Sequence, residues 1–277
     1  MINKKIIQQN FSRQATIYND CALVQKNSAK KLCELAKKIL TENNFVQSQN
    51  FTVSENSLTE LQNKNINILD LGSGTSFIAK NLHEFNQNLK IFEVDIAENM
   101  LKQWVDRPSN ILPILADIEN LPFEKTASFD IIISSFALQW IENIPQLLRK
   151  LKILLKENGA LIFCLPTEKT FAEIKSASEK SQCNFSIKTL HNENFIRDEL
   201  LKLKLQEHFY QTEIVPQKNQ NAVAALKEIK KIGANYSEKF ATKKNISKNN
   251  LQKFNDFFLQ DNQNITNWHL AYFIFKK

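Results

Sequence analysis

Apolar positions along the chain follow two rhythms that alternate. Ile66–Leu71, Lys90–Asp95 (KIFEVD), Ile111–Leu115, Phe129–Ser134 (FDIIIS) and Ala160–Leu165 (ALIFCL) are short, nearly continuous apolar runs, the pattern of strands covered on both faces. Between them lie stretches with helical spacing, from about Ser76 to Phe85, Glu98–Val105 and Pro145–Leu155, the last followed by Asn158-Gly159, a helix stop signal. Strands alternating with helices in this way predict an α/β fold with a parallel, doubly wound sheet.

The flanks read differently. Phe11–Leu40 has helical periodicity with a break near Asn19–Asp20, and Ser28, Leu32, Leu35 and Ile39 share one face. Residues 41–65 are polar and rich in Asn, Gln and Ser, which predicts a surface linker with one short helix near Ser57–Gln62. Beyond residue 166, helices are predicted at Phe171–Ser181, Ile196–Gln206, Ala222–Ile232 (ended by Gly233) and Leu251–Leu259, and strands at Phe209–Val215 and Trp268–Phe275. Strand, helices, strand suggests an antiparallel edge pair carrying a helical cap. The expected organisation is N-terminal cap helices at 1–40, a linker at 41–65, and a main domain at 66–277 with helical inserts at about 168–207 and 217–262.

The chain has only four glycines, and Gly72 and Gly74 both fall in the stretch NILDLGSGTS (67–76). So sparing a use of glycine points to a turn that needs positive φ or close approach of a ligand. A dinucleotide fingerprint would put a third glycine at 77, where this chain has Phe77, and the lysine of a P-loop is absent. What remains is Asp70 two residues before the first glycine and a second acid, Asp95, closing the next strand roughly 20 residues later. This pattern resembles motif I of the class I S-adenosylmethionine (SAM) methyltransferases, acid-x-Gly-x-Gly-x-Gly, with Ser76 in place of the third glycine.

Further segments match the same pattern in order. EVDIAENML (93–101) resembles the second-strand segment whose acid accepts both ribose hydroxyls, and LADIENLPF (115–123) the segment whose acid faces the adenine amino group. FDIIISSFALQWIENI (129–144) resembles the fourth strand and its loop, and KILLKENGALIF (152–163) the following helix and strand, with Glu157-Asn158 where Pro-Gly is usual. The flanks are similar to the malonyl-acyl carrier protein O-methyltransferase (BioC) family. FSRQATIYNDCALVQKNSAKKL (11–32) matches its opening, SFALQW (135–140) its Asn-Leu-Ala-Leu-Gln-Trp with Ser135 for Asn, ALKEIKKIGAN (225–235) its insert, and WHLAYFIF (268–275) its closing strand.

The resemblance implies a Rossmann-like, seven-stranded sheet, mostly parallel with an antiparallel C-terminal strand, the N-terminal helices and the insert forming a cap. It implies SAM as cofactor, held by Asp70, Gly72, Gly74, Asp95, Ile96, Asp117, Ile118, Ser134 and Ser135, with Arg13 near its carboxylate. It also implies a malonyl carboxylate as nucleophile, carried by an acyl carrier protein as partner (or by coenzyme A), with biotin synthesis as the pathway; by their position in the chain, Tyr18, Gln139, Trp140 and Arg149 are the candidates to attend that carboxylate. A carboxylate with a pKa of about 4 is ionised at neutral pH, so the reaction needs no general base. A methyltransferase of a small molecule such as a quinone precursor, or a methyltransferase-fold arginine hydroxylase or assembly factor, shares the cofactor motifs and differs in the flanks.

Composition changes this picture little. Cys21, Cys33, Cys164 and Cys183, and the four histidines, have no metal-ligand spacing, so no metal is expected, and the cysteines suit a reducing compartment. No apolar run reaches the ~18 residues of a membrane span, and MINKKIIQQN lacks a signal-like apolar segment; a cytoplasmic location is expected. The net charge of +7 is carried mostly by lysine. No aromatic-interleaved basic stripe points to nucleic acid, and an acidic carrier protein suits the charge. The lysines at 227, 230 and 231, and at 150, 152 and 156, are the expected docking positions.

Overall fold

The computed structural model describes residues 3–42, 65–123, 128–183, 188–231 and 247–277. Helices α1 (Lys4–Cys21) and α2 (Leu23–Glu42) come first. Then follow β1 (Asn67–Leu71), α3 (Phe77–Phe85), β2 (Lys90–Asp95), α4 (Glu98–Leu101), β3 (Ile111–Leu115), β4 (Phe129–Ser135), α5 (Ile144–Leu154) and β5 (Leu155–Pro166). The last part runs α6 (Ala172–Lys180), α7 (Glu193–Lys202), β6 (Gln206–Lys218), α8 (Ala222–Lys231), α9 (Lys248–Asn262) and β7 (Ile265–Lys276).

The sheet has seven strands in the order β3-β2-β1-β4-β5-β7-β6. β1 through β5 pair in parallel, and β7 runs antiparallel to both β5 and β6. The order reverses beside β1, and ligands in open α/β sheets bind at such a switch point, outside the carboxyl ends of the strands.

Alternation along each strand divides the core between two faces. Ile68, Ile131 and Ile133 pack with α2, α3, α6 and α9 on one face. Leu69, Leu71 and Ile132 pack with α5 and α7 on the other. On α2, Ser28, Leu32 and Ile39 are buried, as the predicted stripe requires, and Leu35 is partly buried against the same cluster.

Four local expectations are corrected. The N-terminal helix begins at Lys4, where the Asn3 side chain accepts from Ile6 N–H (3.3 Å), rather than near Phe11. Its break falls at Ala22, whose N–H still donates to Tyr18 O, so Asn19 and Asp20 remain helical. α4 is a single turn ending at Leu101. Finally, Asn158-Gly159 does not cap α5, because the chain passes directly from Leu154 into β5. There Asn158 takes φ 64°, and a Cβ on Gly159 would lie 2.8 Å from Lys156 O, at a register shift between β4 and β5. The glycine serves an irregular strand. The expected linker helix and the Gly233 stop lie outside the described residues.

Candidate active site

The carboxyl ends of β1, β2 and β4 frame the site. After β1 the chain turns sharply. Gly72 N–H and Ser73 N–H both donate to Val94 O on β2, at 2.7 and 3.1 Å. Gly72 and Gly74 take φ 71° and 56°, and Ser76, where motif I carries its third glycine, takes φ 70°. The turn keeps the left-handed geometry at that third position and places a buried serine in it. A Cβ on Gly72 would come within 2.2 Å of Ala137 Cβ, whereas one on Gly74 would meet nothing within 4 Å. Gly72 is therefore required by packing, and Gly74 faces open space that a ligand can enter.

Asp95 ends β2 under this turn. One carboxylate oxygen accepts from Gly74 N–H (2.9 Å) and the other from Ala97 N–H (2.8 Å). Burial outweighs those bonds and pushes the carboxyl up to about 6. Asp70 is fully buried on the face of the sheet that meets α2, and neither of its oxygens has a hydrogen-bond partner. Burial, then the charges of Glu93 and Asp95, hold its carboxyl well above the usual carboxylate range. Its neighbour in register, Glu93, is paired instead with Arg107 at 2.9 Å.

Two adjoining cavities open above these strand ends and share Phe11, Tyr18, Phe136 and Trp140 as walls. The outer one is lined by Gly72, Asp95, Ile96, Asp117, Ile118 and Ser135. The inner one is lined by Gln25, Gln139, Thr170, Phe171, Lys188 and Trp268. Helix α1 lies across the outer cavity. Its Lys4 pairs with Asp117 and Glu119, both at 2.5 Å, and its Gln8 donates to Ile96 O at 3.0 Å. Asn19, near its end, accepts from Thr75 Oγ1 at 2.6 Å. Phe11 meets Trp140 edge-on at 5.9 Å, and Tyr18 stacks on Phe77 at 6.2 Å. Burial, with the Asp95 charge second, raises the Tyr18 hydroxyl far above its ordinary value.

The predicted residues therefore separate into groups. Gly72, Asp95, Ile96, Asp117, Ile118 and Ser135 line the outer cavity, Gln139 the inner, and Tyr18 and Trp140 both. Gly74 contributes through its N–H on Asp95. Asp70 and Ser134 line neither cavity; Ser134 Oγ is turned down to donate to Leu71 O at 2.8 Å. Arg13 and Arg149 line neither cavity: both are exposed, on α1 and α5, because each falls on the outward face of its helix. Sequence reasoning missed the aromatic lid (Phe11, Phe136, Trp268), the Lys4 ion pair and Lys188. Lys4 and Phe11 depend on the register of α1, Phe136 on the end of β4, Trp268 on the pairing of β7, and Lys188 on the path of the chain before α7, none of which apolar periodicity resolves.

The outer cavity fits SAM on its own features. Ser135 Oγ is buried there without a partner, the space beside Gly74 is open, and Asp95 is fixed by two backbone donors while keeping acceptor capacity. Asp95 would take the ribose hydroxyls, Ile118 would border the adenine, and Asp117 would exchange part of its contact with Lys4 for the adenine amino group. No group of three or more metal-ligating side chains occurs among the described residues. A larger open groove (≈ 820 Å³) lies elsewhere, between the end of β6, α8 and α9, and includes none of these residues.

Comparison with known proteins agrees with the fold. A family model described as a methyltransferase domain matches residues 69–163. A Bacillus halodurans protein described as a methyltransferase superposes with TM-score 0.55 at 13% identity, over 80% of this chain and 97% of that one. Fold, site and domain match define a SAM-dependent methyltransferase of class I. The malonyl-[acyl-carrier protein] O-methyltransferase of Bacillus cereus is 30% identical over 208 residues, 73% of this chain and 69% of that protein. A malonyl-[acyl-carrier protein] O-methyltransferase 1 from Ilyobacter polytropus is 29% identical over 294 residues, 100% of this chain and 96% of that protein. The chain belongs to the malonyl-[acyl-carrier protein] O-methyltransferase family. The human mitochondrial arginine-hydroxylase NDUFAF5 is 33% identical over 114 residues, only 41% of this chain and 32% of that protein.

Proposed function

We propose that this protein methylates the free carboxylate of a malonyl thioester carried by an acyl carrier protein, a step of biotin synthesis. The observation that carries the reading is the aromatic-walled inner cavity opening directly off the cofactor cavity through Tyr18 and Trp140. Among the described residues neither cavity is lined by histidine or cysteine. A carboxylate nucleophile, already ionised, suits such walls.

SAM, when bound, supplies an electrophilic methyl group on a sulfonium. A carboxylate oxygen held in the inner cavity would accept that methyl group, a C–O bond being made as the donor's C–S bond is broken. The products are a neutral ester and a neutral thioether, and no proton moves. The chain's own part is positional. Gly72–Ser73, pinned to Val94, and Asp95 orient the donor, while Tyr18, Trp140 and Phe11 close over the junction and exclude water. Bringing a cation and an anion together in an apolar site strengthens their attraction.

A carrier protein would dock on the insert side. Lys218, Lys227 and Lys248 are exposed around the groove of α8 and α9, and Ile229 on the same α8 reaches the inner cavity. On the sheet side, Lys150 and Lys152 donate to Glu119 O and Leu203 O, and Lys156 pairs with Asp130. Charge reversal of Lys218, Lys227 and Lys248 together should raise KM for the carrier-bound substrate about tenfold and leave that for malonyl-coenzyme A unchanged. The reading itself is tested with purified protein, SAM and malonyl- or acetyl-carrier protein, followed by mass spectrometry. A base-labile gain of one methyl group on malonyl alone is expected. A gain on neither, with SAM bound, would redirect the function to another acceptor.

A further inference from the structure

We propose that Lys188 is the residue that binds the substrate carboxylate, its ammonium pairing with the acceptor anion in the inner cavity; this rests on the reading of a malonyl thioester as substrate. Lys188 precedes α7 and lines that cavity. Its ammonium lies 4.5 Å from the centre of the Trp140 ring and donates to Gln139 O. An ammonium has three donors, so two remain for a ligand beside the one on Gln139.

The other basic side chains near the site are committed or remote. Lys4 is held by Asp117 and Glu119 across the outer cavity, and Arg13 and Arg149 are exposed. Among the described residues Lys188 is the only basic side chain lining the inner cavity, and no carboxylate lies within ion-pair distance of it. Glu142 acts on it only through its more distant charge, and the Lys188 charge in turn acts on His191. Burial lowers the amine to about 8. A half-buried cation with no ion-paired carboxylate among the described residues is an unfavourable arrangement, and an entering carboxylate removes that cost. The ring of Trp140 fixes the ammonium at the junction of the two cavities, where an acceptor oxygen must lie to meet a methyl group bound in the outer one.

The same arrangement explains selection. An acetyl thioester has only a hydrogen where malonyl carries its carboxylate, and only the anion pairs with the ammonium. Lys188 would thus set both the position of the nucleophile and the choice of acyl group.

The test measures binding of malonyl- and acetyl-coenzyme A by calorimetry, with S-adenosylhomocysteine present so that no transfer occurs. Wild-type protein is expected to prefer malonyl by about 30-fold, the cost of leaving one partner of a desolvated charge pair alone. In Lys188→Met that preference should shrink to within about threefold, with acetyl binding and S-adenosylhomocysteine affinity unchanged. Lys188→Arg should retain most of it. A structural lysine would not move this ratio. If Lys188→Met does not fold, Lys188→Gln carries the same readout. Wild-type methylation of malonyl with an unchanged preference in the variant overturns the assignment of Lys188 alone. Wild-type protein that binds S-adenosylhomocysteine and neither binds nor methylates malonyl thioesters overturns the reading of the substrate and this assignment with it.

Discussion

The two cavities are built by opposite means. The outer one is made by the backbone: two glycines and a serine at positive φ, two N–H groups on Val94 O, and Asp95 held by Gly74 and Ala97. These backbone groups come from β1 and β2 and the turns that follow them, while α1, the chain after β3 and the end of β4 complete the walls. The inner one is made by side chains from distant places: Phe11 and Tyr18 on α1, Gln139 and Trp140 after β4, Lys188 before α7, Ile229 on α8 and Trp268 on β7. A cofactor common to many enzymes is met by geometry that tolerates few residue types. An acceptor particular to one enzyme is met by a lid whose residues can change without disturbing the sheet.

The largest effect should come from the backbone side. Gly72→Ala places a methyl group 2.2 Å from Ala137 Cβ at φ 71°. Left-handed strain of about 1–2 kcal/mol adds to overpacking of about 1–3 kcal/mol, so thermal unfolding should drop by about 10 °C and SAM binding should be lost. Gly74→Ala has the strain without the clash. It should unfold only about 2–4 °C lower while still weakening SAM, because the new methyl group projects into the ligand's space. Equal losses of stability in the two variants would break the distinction between packing and ligand approach.

Asp95→Asn comes next. Losing charge-assisted bonds to the ribose should weaken SAM about 30-fold by calorimetry. pH sharpens the point. Hydroxyl donors favour the ionised carboxylate, so wild-type affinity should be full above pH 7 and fall as pH drops through about 6. In the free protein the sign is opposite. The folded-state value lies above the unfolded one, so the stability contributed by the protonated Asp95 is present at acid pH and lost as pH rises through about 6. The Asn variant should show neither dependence at that pH.

How far the chain could be read follows the same division. The alternation of strands and helices, the antiparallel edge pair and the glycine turn were legible because buried parallel strands are apolar throughout and because four glycines leave few choices. The end of α5 was misread, since Asn158-Gly159 serves a strand irregularity as readily as a helix cap. Arg13 and Arg149 were natural partners for a carboxylate by chemistry alone, but helix register turns both outward. Lys188 carried no motif, and its importance comes from burial against Trp140, which only the folded chain reveals.

Smaller effects belong to the lid and the surface. Tyr18→Phe keeps the stack on Phe77 and removes the buried hydroxyl. It should raise KM for malonyl thioester about fivefold, one ordinary hydrogen bond, with SAM affinity nearly unchanged. Arg13→Ala and Arg149→Ala should leave rate and stability within about 0.5 kcal/mol of wild type. A large loss in either, by steady-state kinetics, would mean that α1 or α5 turns inward when ligands bind.

The most direct measurement is a crystal structure of the protein with S-adenosylhomocysteine and a malonyl-pantetheine thioester. The ribose hydroxyls should sit on Asp95, and the malonyl carboxylate should lie on Lys188 beside Trp140, with one oxygen facing the cofactor sulfur. A carboxylate bound elsewhere, or a cofactor lying outside the Gly72–Gly74 turn, would contradict the division of the site into a donor cavity and an acceptor cavity.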